Sequence, residues 1–125
     1  MRDNSSNVGV VASVVPQTAT GNVTGDPVDT RGYDSVTLVV ATGASTGFDA
    51  AAEVQASDST GSTSFAAADS AELVGSFDAL EANAVQRVGY VGSKRYVRVV
   101  LDHDSGSVDA SAVAVLGHAH QRPVA

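Results

Sequence analysis

The sequence predicts an all-β fold, an antiparallel β-sandwich or a jelly-roll-like body, and three observations predict it. Short Val-rich runs alternate apolar and polar positions with a period of two. Loops rich in Gly, Ser and Asp separate them at intervals of roughly 8–15 residues, the rhythm of sandwiches and jelly rolls. No segment of helical length carries an apolar stripe at 3.6-residue spacing.

Met1 to Asn7 is polar and reads as a flexible arm, without the apolar centre of a secretion signal. Val8–Val15 is a β-branched run stopped by Pro16 and suits a first strand. Gln17–Pro27 is turn-rich and has room for one short strand, near Thr18–Thr20 or Asn22–Thr24. Ser35–Thr42 is the clearest strand of the first half. Val36, Leu38 and Val40 line one face and Thr37, Val39 and Ala41 the other, so a strand apolar on both sides is expected at the centre of its sheet. Gly43–Gly47 is read as its end. Asp49–Ala56 alternates again, with Ala50, Ala52, Val54 and Ala56 on one side. Ser57–Ser62 is read as a hairpin loop returning through Thr63–Ala66. Ala67–Glu72 reads as a helical turn, and Leu73–Phe77 as a short strand. Ala84–Val91 and Tyr96–Asp102 are read as a hairpin about Gly92–Arg95, with Val97, Val99 and Leu101 facing the core. Asp102–Ser107 is a further turn and Val108–Leu116 a last strand. One domain over 1–125 with flexible terminal arms is expected: an arm at 1–7, a β body at 8–117 and a mobile polar tail at 118–125.

The core material is unusual. Aromatics make up 5% of the chain and there is no Trp, so Val and Ala must fill the interior. Thin, closely approaching layers follow from side chains that small. The absence of Cys excludes disulfides and thiolate chemistry. A net charge of −7 argues against a general nucleic-acid binder, which needs clustered cations for phosphates. No stretch approaches the apolar length of a membrane span.

Motifs that carry chemistry are weak. His103, His118 and His120, with Asp102 or Asp104 beside the first, invite a metal reading, but an acidic turn and a fraying strand end lack the ordered outer partners that metal ligands need. Asp102–Gly106 has the alternating oxygens of a calcium loop without its distal Glu. Gly89–Lys94 has glycines and a Lys, but not the spacing or the following helix of a phosphate loop. No Ser lies in a nucleophile elbow. The expectation is therefore no catalytic residue, no cofactor and no metal. Charge distribution is more telling. Residues 49–81 hold seven acids and no base, whereas Arg87, Lys94, Arg95 and Arg98 hold four of the seven basic side chains. Those four are the candidate protein-interface residues, poised to meet acidic surface on a neighbour. Otherwise they are a solvated face.

Several segments resemble small proteins encoded among the head and structural genes of tailed bacteriophages and prophages. They are Val8-Gly9-Val10-Val11, Gly32-Tyr33-Asp34-Ser35 and Ala56-Ser57-Asp58. The most specific is Val85-Gln86-Arg87-Val88-Gly89-Tyr90-Val91-Gly92-Ser93-Lys94-Arg95-Tyr96-Val97-Arg98-Val99. The resemblance implies a virion structural protein, a capsid decoration (cement) or head-associated one. Its implied partners are the major capsid protein and copies of itself, and its implied place is the capsid surface, after synthesis in the host cytoplasm. A tail or connector component, or a carbohydrate-binding β-sandwich, are the rival expectations.

Overall fold

A computed structural model of the chain describes residues 1–61 and 63–124. They form one eight-stranded antiparallel sheet, as the alternation predicts. Two strands dominate it. β4 (Tyr33–Ser57) and β8 (Tyr96–Ala119) pair along almost their whole lengths, from Tyr33↔Ala119 to Ser57↔Tyr96. Strands usually run about 5–6 residues, and these exceed that severalfold because each serves two layers.

In the first layer, the N-terminal half of β4 and the C-terminal half of β8 lie between β1 (Gly9–Ala19) and β7 (Val85–Tyr90), with β6 (Leu73–Val74) outside β7. In the second, the other halves of β4 and β8 carry β2 (Val23–Thr24), β3 (Val28–Asp29) and β5 (Ala66–Ala67). A 3-10 turn over Ser70–Glu72 stands where a helical turn was expected.

The inward faces of both layers feed one core. Val36, Leu38 and Val40 meet Ala112, Ala114 and Leu116 in the first layer. Val54 and Ala56 meet Val99 and Val97 in the second. All ten are buried in the same cluster. Ser13 ties the layers together. Its hydroxyl accepts from the Val99 amide at 3.0 Å and donates to the Asp26 carbonyl at 3.0 Å, while Gly25 donates its amide to the Val99 carbonyl at 2.8 Å. A Cβ at Gly25 would overlap Ser13 Oγ and the Val99 carbonyl, so only glycine permits this approach.

Four sequence readings are corrected. Gly43–Gly47 does not end a strand, and Asp102–Ser107 is not a turn. Both lie inside the long pair, where register shifts between Thr42 and Ala50 mark the passage from one layer to the other. Gly47 (φ +50°) and Gly106 (φ +74°) take up the left-handed backbone required there. Pro16 does not stop β1, because a register shift between Val14 and Gln17 accommodates it. Gly92–Arg95 is not a hairpin. β7 and β8 flank β4 on opposite sides, so the segment carries the chain across to the second layer. The last strand also continues past Leu116 to Ala119. Beyond it the tail is tied down, with His120 donating its amide to the Gly32 carbonyl and Val124 to that of Ser6, both at 2.9 Å. Ser62, the last residue of the hairpin loop read at Ser57–Ser62, and Ala125, the last of the tail read at 118–125, lie outside the described residues. Among the described residues no helix is long and apolar enough to cross a membrane.

Candidate protein interface

The four cations that cluster in sequence are dispersed by the fold. Lys94 Nζ bonds Asp58 at 3.0 Å, which raises the lysine pKa. Arg95 holds Asp29 through both Nε (2.9 Å) and Nη2 (2.8 Å) and lies 5.0 Å over the Tyr96 ring. The Arg95 hydrogen bond is the main reason that the Asp29 carboxyl falls to about 2. Arg98 is buried on the outer side of the second layer, bonded through Nε and Nη2 to the Gln55 side-chain oxygen and stacked 4.2 Å from the Phe65 ring. Three of the four are thus engaged within the chain. Arg87 is exposed and has no ion pair or side-chain hydrogen bond among the described residues.

Arg87 stands on a surface that charge counting did not reveal. Because side chains alternate, the residues between the core positions of the first layer all point outward together. Val10, Val115, Thr37, Gly89 and Val74 form one row across five strands. Ala12, Val113, Val39 and Arg87 form the next, and Ser111, Ala41 and Val85 a third. Val10, Val74 and Val85 are 64%, 64% and 70% exposed, whereas the central positions are half-buried by their neighbours. This face is built of small side chains, and across these rows Arg87 carries the single charge. At its end lies Asp109, which accepts from the Thr18 hydroxyl at 2.6 Å. The outward side of the second layer is of different character, presenting Glu53, Asp102 and the Arg98–Gln55 pair.

The histidines take structural positions. His103 is buried, with Nε2 2.6 Å from the Gly106 carbonyl and Nδ1 without a partner among the described residues. A carbonyl only accepts, so Nε2 bears the proton. His118 bonds the Ser35 hydroxyl, and His120 bonds Asp34 at 2.8 Å. Among the described residues no three His, Asp or Glu side chains converge. Two depressions enclose about 380 and 440 Å³. One runs beside Tyr33, Tyr90 and Lys94, the other under His120 and Pro123. In the first, the Tyr90 hydroxyl accepts the Lys94 amide at 3.1 Å and donates to Glu72 at 3.3 Å, and burial raises its pKa.

No family model matches the chain, and no curated protein matches it in sequence. Its fold is similar to that in the crystal structure of the SPBc2 prophage-derived protein YomS, with a TM-score of 0.50 and 16% identity over 87% of this chain and 93% of that one. The structure of infectious bursal disease virus Gx strain gives a TM-score of 0.47 and 14% identity, over 93% of this chain and 34% of that one. At these identities the likeness is one of fold.

Proposed function

We propose that this chain is a non-enzymatic structural protein of a tailed-phage virion, a decoration protein that binds the outside of the major capsid shell and stabilises it. The observation that carries the reading is the outward face of the first layer. A sheet face of five strands built mostly of small apolar side chains, with Arg87 unpaired among the described residues, is a surface suited to contact with protein. The resemblance of Val85–Val99 to phage head-gene proteins supports the virion setting, as does the fold shared with a prophage-derived protein. A two-layer body with terminal segments bonded to it also suits a protein that must stay rigid on a shell.

A sugar-binding module needs exposed aromatic platforms. Here Tyr33, Phe48 and Phe77 pack on the core, Tyr90 is buried, and Phe65 and Tyr96 lie under arginines. The decisive experiment adds purified protein to expanded capsids that lack it. Saturation at a fixed ratio to the shell protein, with greater resistance of the capsids to heat, is the expected result. Failure to bind at any salt concentration rejects the assignment.

A further inference from the structure

The outward face of the first layer is self-complementary. It bears one charge of each sign, Arg87 on β7 and Asp109 on β8, and they lie diagonally across it. Arg87 is level with Val39. Asp109 is level with Gly43, where a Cβ would sit 3.4 Å from the Asp109 Cβ, which places both on the outward side. With ~4.8 Å between strands and ~3.3 Å per residue, the two charges are roughly 16 Å apart and Ala41 lies midway. A two-fold axis in the plane of contact, passing near Ala41 and perpendicular to the line between the two charges, lays each charge over its opposite.

We propose that this face docks on the same face of a second copy, with Arg87 of each copy meeting Asp109 of the other. The chain carries a net charge of −7, which opposes self-association in general, whereas the two charges on this face cancel, so contact here adds no like-charge pair. The face measures about 24 by 20 Å, so two copies bury roughly 1,000 Å², the low end of specific interfaces. A two-fold contact also accounts for Arg87 being left unpaired in the single chain, since its partner comes from the other copy. Pairing covers the face on which the shell-binding reading rests, so a pair and a shell contact through that face exclude one another; the pairing itself stands whether or not the chain belongs to a virion.

Sedimentation equilibrium over a concentration series tests it. The wild-type chain should dimerise with a dissociation constant of roughly micromolar order, as suits an interface of this size. Arg87→Asp and Asp109→Arg should each weaken the dimer by roughly tenfold or more, because each acts twice across the axis. The variant carrying both exchanges should regain wild-type affinity. Val113→Lys, at the centre of the face, should be monomeric while keeping the wild-type circular dichroism spectrum. A wild-type chain that is monomeric at roughly 500 µM overturns the proposal, that being far above the expected constant. Single reversals without effect, or a double exchange that stays monomeric, overturn it equally. If the wild type is monomeric yet Arg87→Asp abolishes binding to capsids, the face belongs to the shell protein instead.

Discussion

Ser13→Ala removes the group that fastens β1 to the second layer. Ser13 is 2% exposed and Val99 is fully buried, so the deletion leaves the Val99 amide without its acceptor in a place water does not reach. An orphaned buried donor costs about 1–3 kcal/mol, and the bond to the Asp26 carbonyl adds about 1 kcal/mol. The sum is a loss of about 2–4 kcal/mol. At roughly 3–5 °C per kcal/mol for a chain of this length, Tm should fall by about 6–20 °C. Urea unfolding followed by circular dichroism gives the free energy directly, and the slope with denaturant should not change, since the folded state is the same. Ser111→Ala serves as the control. Ser111 lies on the outward face, makes no side-chain hydrogen bond among the described residues, and should shift stability by less than about 0.5 kcal/mol. A loss of that small size at Ser13 as well would refute the reasoning that the hydroxyl joins the layers.

The Asp29 carboxyl should titrate near 2 in the folded chain and move up toward the ordinary 3.8 in Arg95→Gln, as read by carbon NMR. Because the folded value is depressed, the pair's contribution is present above the unfolded pKa and is lost as pH falls from about 4 to 2. Its size should be small, since both side chains are more than two-fifths exposed. Gly106→Ala should cost more than about 2 kcal/mol in the same urea assay. It places a Cβ against the Gly47 backbone at a φ of +74° that L residues rarely adopt. Nitrogen NMR of His103 should show the Nε2-protonated tautomer, because the Gly106 carbonyl requires a donor there.

The strands were legible because burial writes a period of two into Val36–Val40 and Val97–Leu101. The apolar outer side of Val39 and Ala41 even marked β4 as central. The topology was less so. Gly43–Gly47 and Gly106 carry the same local signal whether the chain reverses or merely shifts register, since both need glycine with positive φ. Only the distant partner strand decides. Gly92–Arg95 has the same ambiguity, because a crossover between layers uses the residues of a tight hairpin. The site was half visible for a related reason. Arg87, Lys94, Arg95 and Arg98 are neighbours in sequence, but the alternation of β7 and the crossover distribute them to separate surfaces. Asp29 and Asp58, more than thirty residues away, bind two of them. The apolar outward face is assembled from five strands, and no single segment announces it.

The central claim, a shell-binding virion protein, is tested most directly by quantitative mass spectrometry of purified particles that encode the chain. The account predicts a copy number in fixed proportion to the major capsid protein, stripped and restored together with the heat resistance of the shell. Absence from the particle, or a copy number matching a single connector ring, would contradict it.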